Sequence, residues 1–339
     1  MALEFFLGAI SAGGFVSLFD GLRQEGLRRY IVKGGPGCGK ATLIRRLTAD
    51  LGGGEERIRC ASDPDSLDGT IVGGRAIVDG TAPHVQEPAF PGCDGDYLPL
   101  PPCLPGVERH REALYALQSG AKAHYAGAYR LLEGAKQVRQ ERRAICAGLL
   151  PGEGIEKRAA GLLRQLPRGD APQVRRRFLE GVTPKGYLTL TETLAQFPTV
   201  IALRDGYGLS DGLLQRLLEG AFDRGLTVYA CHDPLEPERL THLLLPEAGV
   251  AFARCAEAPD FPVSRTIRAD AMLPREALRQ ARGRLRLLKT LEDGLLSDAA
   301  GQVAAAHALH DRMEEIYRPY LDLAALEREY PALLERVKG

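Results

Sequence analysis

The chain alternates short apolar runs with glycine-rich turns and long amphipathic segments. The runs "RRYIV" (28–32) and "PTVIAL" (198–203) are typical of strands buried on both faces. Each precedes a turn and a helical pattern, and we expect further short strands at "RIRCA", "RAIVD", "LTVYAC" and "GVAFAR". Apolar residues recur at helical spacing over 106–148, 153–166 and 273–337. The pattern predicts an α/β fold with helical extensions.

The same pattern occurs twice. The segment "FLGAISAGGFVSLFDGL" (6–22) aligns without a gap to "FLEGVTPKGYLTLTETL" (178–194), so that Phe6 meets Phe178 and Gly14 meets Gly186. Three further blocks follow in the same order and at nearly the same spacing, which indicates an internal duplication. The opening apolar segment is therefore expected to be part of the fold rather than a leader peptide.

Between the first strand and its helix lies "KGGPGCGKATL" (33–43). Glycines let a backbone wrap closely around phosphate, and the amides at the start of the helix point at it. Lys40 supplies a charge for the terminal phosphates. This spacing predicts an ATP site formed by Gly34, Gly35, Pro36, Gly37, Cys38, Gly39, Lys40, Ala41 and Thr42.

Asp79 closes the buried run "RAIVD", where P-loop proteins keep the carboxylate that holds the Mg²⁺ shell, so we predict a metal role for it. Ala41 stands where a Ser or Thr would hold the metal, and Gly80 stands where many fast ATPases have a water-activating carboxylate. Mg²⁺ keeps several waters and uses the phosphates of its substrate, so binding should survive while hydrolysis should be slow.

The second copy has lost the chemistry of the first. Asp211 replaces Lys40, Ser210 replaces Gly39 and Arg254 replaces Asp79, and an acidic group would repel phosphate. These differences predict a P-loop NTPase-like three-layer fold with a degenerate second copy. We place a nucleotide-binding domain at 1–172 and the degenerate domain at 173–339, with a polar linker over 168–177.

Other polar residues are weaker candidates for catalysis. Asp65 is a candidate base, whereas Asp63 fits a turn or helix cap, and Asp68 follows in the same segment. His84 and Thr81 are candidates to face a terminal phosphate because they follow Asp79 closely, although a loop histidine is more often exposed or a capping group. Cys38 lies near a helix start, which lowers a thiol pKa, but a small loop residue is the simpler interpretation. The arginines at 139, 142, 143 and 175–177 are alternatives as phosphate-binding fingers, with solvated helix faces favoured.

Composition narrows the function classes. The 339 residues carry a formal net charge of +0 with 45% apolar and 26% charged residues, so we expect a globular protein and find no indication of nucleic-acid binding. Seven cysteines without regular spacing predict free thiols in a reducing compartment. No apolar stretch is long enough to span a bilayer, and a cytoplasmic location is expected.

Taken with "SDPDSLDG", "DGTAPH" and "HALHDRMEEIYRPYLD", these motifs resemble a little-characterised family of tandem P-loop ATP-binding proteins of Gram-positive bacteria. The resemblance covers both halves and implies ATP binding at Gly34 to Thr42 and Asp79 and a probable ATPase activity, without a substrate or partner. This chain departs from the family pattern at Ala41 and throughout "RDGYGLSDG" (204–212).

Three functions are compatible with these patterns. The leading hypothesis is a slow Mg²⁺-dependent ATPase with one site in the first copy, acting as a nucleotide-dependent switch. The first alternative is a small-molecule kinase with Asp65 or Asp63 as base and Arg139, Arg142 or Arg143 as lid. The second is a non-catalytic ATP sensor or interaction protein.

Overall fold

Two six-stranded sheets form the centre of the fold in the computed structural model, which describes residues 2–147, 153–269, 271 and 273–339. The first sheet contains β1 (Leu3–Phe6), β4 (Arg28–Lys33), β5 (Glu56–Arg59), β6 (Leu67–Val72), β7 (Arg75–Asp79) and β8 (Gly95–Pro99). The second contains β9 (Gln173–Arg177), β12 (Thr199–Arg204), β13 (Thr227–His232), β14 (Leu240–Leu245), β15 (Val250–Cys255) and β16 (Arg265–Arg268). The predicted α/β class is confirmed.

The two sheets have the same topology. The first runs β1-β5-β6-β7-β4-β8, and the second runs β9-β13-β14-β15-β12-β16. In each, one strand, β6 or β14, is antiparallel to both neighbours, while the other pairings are parallel. Each half also has a hairpin, β2 (Gly8–Ser11) with β3 (Gly14–Ser17) and β10 (Glu180–Thr183) with β11 (Gly186–Thr189).

Eight α-helices are described. The short ones are α1 (Gly21–Gln24), α2 (Lys40–Asp50), α4 (Glu153–Leu163), α5 (Thr191–Leu194) and α6 (Asp211–Phe222). The long ones are α3 (Arg111–Ala147) and α7 (Arg275–Tyr317), followed by α8 (Leu323–Lys338). The predicted helical extensions are thus confirmed, except that Pro319 helps to break the last segment into two helices and that residue 148 lies outside the described residues.

Each sheet is covered on its outer face by one helix from its own half of the chain and one helix from the other half. On the outer face of the first sheet, α2 and the C-terminal helix α8 pack together, with Leu43 and Leu333 in one apolar cluster. On the outer face of the second sheet, α6 packs with α4 from the first half. We call the first sheet with its hairpin β2–β3, α2 and α8 the first lobe, and the second sheet with its hairpin β10–β11, α6 and α4 the second lobe.

A third apolar cluster joins the lobes. It contains residues from the inner faces of both sheets, from both hairpins and from α3 and α7, including Ile31, Val182, Ala202 and Val303. The predicted linker over 168–177 is partly wrong, because 173–177 form the edge strand β9 of the second sheet. This strand was missed because its sequence is rich in arginine. Arg177 is nevertheless buried, because it forms ion pairs with Glu25 and Glu56. No helix in the described part of the chain is long and apolar enough to cross a membrane.

Candidate functional site

The predicted phosphate loop lies between β4 and α2 in the first lobe. Gly37 (φ +67°) and Gly39 (φ +84°) adopt left-handed backbone conformations that favour glycine, and α2 begins at Lys40. Ala41 is half-buried and Thr42 is exposed in the first turn of the helix. The segment Gly34 to Thr42 therefore turns sharply out of a buried strand into a helix, as a phosphate loop does.

Lys40 folds back over this loop. Its Nζ donates hydrogen bonds to the carbonyl oxygens of Gly35 (2.9 Å) and Gly34 (3.3 Å). It also lies 3.7 Å from Asp79 Oδ2. The lysine and the acid predicted to act on one ligand are therefore neighbours.

Asp79 ends β7, which is hydrogen-bonded directly to β4. Its Oδ1 accepts hydrogen bonds from the Thr81 amide (2.8 Å) and hydroxyl (2.7 Å), so Thr81 orients the carboxylate and leaves Oδ2 toward Lys40. The next residue must be small, because a Cβ at Gly80 would collide with Ile31 Cγ2. The neighbouring glutamate of fast ATPases is thus excluded by packing.

Asp68, named above with Asp63 and Asp65 but given no role of its own, is a further acid close to His84. It lies in β6 rather than in a turn, it is buried, and burial raises the pKa of its carboxyl. His84 is also buried rather than exposed: its ring stacks on Phe19 at 5.1 Å, and its Nε2 lies 3.7 Å from Asp68 Oδ1. His84 therefore faces a carboxylate inside the first lobe.

Cys38 does not have the activated thiol that its place near a helix start would give. The side chain is buried with Leu43 and Leu100. This burial raises the pKa of the Cys38 thiol, and the neighbouring Cys103 raises it further. The simpler interpretation, a small residue at a loop position, fits this environment. All seven cysteines are free, as expected.

Glu314, near the end of α7, contacts the loop and was missed by sequence reasoning. The Gly37 amide donates a hydrogen bond of 3.1 Å to Glu314 Oε1 across a sequence separation of 277 residues. A Cβ at Gly35 would lie 3.7 Å from the ring of Tyr317, so the last turn of α7 covers the loop. Glu314 lies in the quoted segment "HALHDRMEEIYRPYLD" (307–322), but nothing in that segment indicates a contact with a loop in the other half of the chain.

A cavity of about 420 Å³ adjoins the loop at Pro36. Its walls come from the start of α3 and the end of α7 and combine aromatic, apolar and charged side chains. Those that carry polar or aromatic groups are Glu108, Arg111, Tyr115, Gln118 and Tyr317. The volume and mixed lining suit a small organic molecule.

Asp65, the predicted base, points to the second lobe. Both carboxylate oxygens accept hydrogen bonds from Lys185 Nζ (2.7 and 2.6 Å), and this hydrogen bonding lowers the pKa of Asp65. Asp63 Oδ1 accepts a hydrogen bond from the Asp65 amide, in agreement with the turn interpretation. The exposed pair bridges the lobes, and the lowered pKa makes Asp65 a weaker base.

The predicted arginine fingers are far from this loop. Arg139 is about 36 Å along α3 from Tyr115, at the usual rise per helical residue. Arg139 and Arg142 are buried and pair with Glu292, while Arg143 pairs with Glu236. The favoured prediction of solvated faces was wrong for Arg139, Arg142 and Arg177, which acidic partners from the rest of the fold help to bury. Arg143 and Arg175 are half-buried by similar pairs, whereas Arg176 is exposed, as that prediction expected.

The second loop is closed by its own side chains. Asp205 accepts hydrogen bonds from the amides of Tyr207 (3.1 Å) and Ser210 (2.7 Å), so amides of this loop are already occupied. Arg254, at the place of Asp79, lies 2.9 Å from Glu180. The geometry agrees with a second loop that does not hold phosphate.

Among the described residues, no group of three or more His, Cys, Asp or Glu side chains is arranged to hold a metal ion. A Mg²⁺ ion at the first loop would therefore depend on Asp79 together with the phosphates of its substrate. Comparisons with known protein families, curated proteins and solved structures give no match to this chain. The geometry of the first loop is therefore the basis for a functional proposal.

Proposed function

We propose that this chain binds ATP with Mg²⁺ at Gly34 to Thr42 and hydrolyses it slowly. The observation that carries the proposal is the placement of Lys40, which begins α2 after a loop with glycines at positive φ and lies 3.7 Å from Asp79 on the adjacent strand. A buried strand, a glycine loop, a lysine and a strand-end carboxylate are the shared parts of P-loop nucleotide sites.

The fold is, in this proposal, an internally duplicated P-loop NTPase-like fold whose second copy lost its site. The identical strand orders and the matching hairpins support the duplication. The closure of the second loop by Asp205 supports the loss. Membership of the tandem P-loop family of Gram-positive bacteria, and with it a cytoplasmic location, remains part of the same proposal.

Hydrolysis should be slow because two catalytic groups are missing. Ala41 offers no oxygen to the metal, and Gly80 has no room for a water-activating side chain. Bound Mg²⁺ would neutralise charge on the phosphates. In this chain Asp79, oriented by Thr81, would hold the metal's water shell, and Lys40 would leave the loop carbonyls for the terminal phosphates.

A switch between arrangements of the lobes is the output that this geometry favours. Helix α7 has 43 residues and extends about 64 Å, from the second lobe to the phosphate loop. A change at the loop therefore has a rigid element through which to reach the second lobe. Protease sensitivity or small-angle scattering that is identical with and without nucleotide would disprove the switch.

The decisive experiment compares wild type, Lys40→Ala, Ala41→Ser and the control Lys185→Ala for ATP binding and ADP release with Mg²⁺. We expect binding and slow release in wild type, faster release in Ala41→Ser and no binding in Lys40→Ala. Lys185 is exposed on the hairpin of the second lobe, so its variant should behave as wild type. Wild type that binds no ATP would overturn the proposal.

The cavity at Pro36 favours a second candidate, a small-molecule kinase. It adjoins the loop and has room for an acceptor between α3 and α7. The arginines first considered as a lid lie at the other end of α3, so Arg111 is the guanidinium in position to contact an acceptor. This candidate requires ADP release that depends on an added metabolite, and a metabolite screen without such dependence removes it.

A non-catalytic ATP sensor is the third candidate. It is favoured by Ala41 and by the packing of Gly80 against Ile31, which together remove two groups that hydrolysis uses. It predicts ATP binding without turnover in wild type. Steady ADP release that disappears in Lys40→Ala would exclude it.

A further inference from the structure

The phosphate loop already holds an anion that belongs to the protein. Glu314 Oε1 lies 3.1 Å from the Gly37 nitrogen and accepts its hydrogen bond. Backbone N–H groups in this part of a glycine-rich loop are the donors that bind phosphate oxygens. A carboxylate oxygen, like a phosphate oxygen, is a negatively charged hydrogen-bond acceptor. Both therefore bind the same N–H donors of the loop.

The loop contacts the backbone of α7 at Glu314 as well as the Glu314 carboxylate. A Cβ at Gly37 would lie 3.3 Å from the Cα of Glu314 and 3.2 Å from its Cβ. The loop is thus packed closely against the last turn of the helix, and the carboxylate cannot leave far without movement of that turn. A phosphate group at the Gly37 amide and the carboxylate of Glu314 would compete for one donor.

In the second lobe a long helix also packs against the loop, but a different side chain holds it in place. Gly208 holds the place of Gly37 in the second loop, at φ +73°, and a Cβ there would lie 3.5 Å from Cδ of Arg143 in α3. Arg143 makes two hydrogen bonds of 2.7 Å to Glu236, whose side chain is 1% exposed. There the helix is fixed by a partly buried ion pair, independently of any ligand.

The two attachments differ in what can release them. Arg143 would have to break an ion pair with a buried carboxylate. Glu314 is 38% exposed, its Oε1 lies 3.7 Å from Nδ1 of the exposed His310, and it accepts from a loop amide of the kind that phosphate binds. The first lobe therefore has the attachment that an anionic ligand can replace. Of the two long helices α3 and α7, it is therefore the end of α7 at the phosphate loop that a bound anion can release.

We propose that Glu314 is an internal competitor of nucleotide, an autoinhibitory side chain that phosphate must displace from the Gly37 amide, and that its displacement frees the last turn of α7. The inference rests on the proposed function, because it presumes that the loop binds nucleotide phosphate. It adds a residue that sets the affinity and a physical route from the loop to α7.

The test measures the dissociation constant for ATP with Mg²⁺ by calorimetry in wild type, Glu314→Ala, Glu314→Gln and Glu315→Gln. Glu314→Ala should bind about 10-fold more tightly or better, since it removes both charge and acceptor. Glu314→Gln should be intermediate, because its amide oxygen can still accept from Gly37. Glu315 is exposed on the neighbouring position and serves as the control, with unchanged affinity.

Hydrogen exchange supplies a readout that is independent of affinity. Without nucleotide, exchange at the Gly37 amide and in 314–320 should be faster in Glu314→Ala than in wild type. ATP should speed exchange in 314–320 of wild type while Gly37 stays protected. Affinity that is equal in wild type and both Glu314 variants, or no effect of ATP on 314–320, would overturn the inference alone. Absence of ATP binding in every variant would overturn the proposed function and this inference with it.

Discussion

Phe6 and Phe178 exchange two backbone hydrogen bonds of 2.9 Å, each amide donating to the carbonyl of the other. These are the residues that align at the start of the predicted repeat. A reciprocal contact between equivalent residues is what a twofold relationship between two similar units produces. The contact lies in the apolar cluster that both sheets share, so the lobes are joined where β1 ends at Phe6 and just after β9 ends at Arg177.

A buried ion pair beside this contact should make a large contribution to stability. Arg177 Nε lies 2.7 Å from Glu56 Oε2, and both side chains are 0% exposed. The other end of the guanidinium pairs with Glu25 at 2.7 Å. Arg177→Met would remove the closest cation from two buried carboxylates, which would keep the longer contacts with Arg175, at 3.3 Å to Glu56 and 3.7 Å to Glu25. We expect a loss of about 3–5 kcal/mol in the free energy of unfolding.

Urea unfolding measures this loss, and Arg216→Met is the matched control. Arg216 pairs with Glu156 and Glu219 at a side-chain exposure of 52%, so solvent screens both pairs and its replacement should leave the free energy of unfolding nearly unchanged. Equal losses in the two variants would contradict the buried role of Arg177.

Gly80 should not tolerate a side chain. A Cβ at this position would collide with Ile31 Cγ2, which is fully buried in β4. We expect Gly80→Ala to lower the free energy of unfolding by about 1–3 kcal/mol through overpacking. Gly294→Ala in α7, where a Cβ meets no atom within 4 Å, should raise it by up to about 1 kcal/mol. Thermal unfolding that ranks the two variants in the opposite order would disprove the packing argument.

Stability should fall as the pH drops below neutrality, because two histidines of the second lobe are buried in neutral form. Burial lowers the pKa of His242 and of His232 to about 4 in each case, and the nearby Arg176 further lowers that of His232. The unfolded chain takes up these protons near pH 6.5, whereas the folded chain does so only near pH 4. The stabilisation is therefore present above pH 6.5 and lost between these values.

The expected loss is at most about 3.4 kcal/mol for each histidine across the full interval, of which about 2 kcal/mol falls between pH 7 and pH 5. Urea unfolding at pH 7 and pH 5 measures that part, and His242→Asn should show a shallower pH dependence than wild type. An unchanged slope in this variant would remove His242 from the explanation.

Asp65→Asn should leave nucleotide turnover unchanged within about twofold, since the carboxylate is paired with Lys185 of the second lobe and its pKa is lowered. ADP release assays of Asp65→Asn and Lys185→Ala, with and without candidate acceptors, give the measurement. A large loss confined to Asp65→Asn would instead favour the kinase candidate.

Local patterns were enough to predict β4, β5, β7, β12, β13 and β15, the position of the loop and the long helices, but not the edge strand β9. The run "RRYIV" and the glycines before Lys40 each depend on interactions within a few residues, such as burial in a parallel strand or a positive φ. The contact of Glu314 with Gly37 was not predictable, because 277 residues separate the two. The burial of Arg139 and His84 was missed for the same reason, since their environments come from distant segments.

The position of α8 affects the order in which the molecule can be completed during synthesis. Tyr330, Leu333 and Val337 fill the apolar cluster on the outer face of the first sheet, beside α2. A ribosome makes the first sheet and α2 well before these residues. The outer face of the first sheet therefore stays uncovered until residues 330–337 have emerged. A nascent chain that stops before α8 would expose this face to chaperones, while the second lobe already has its helices α4 and α6.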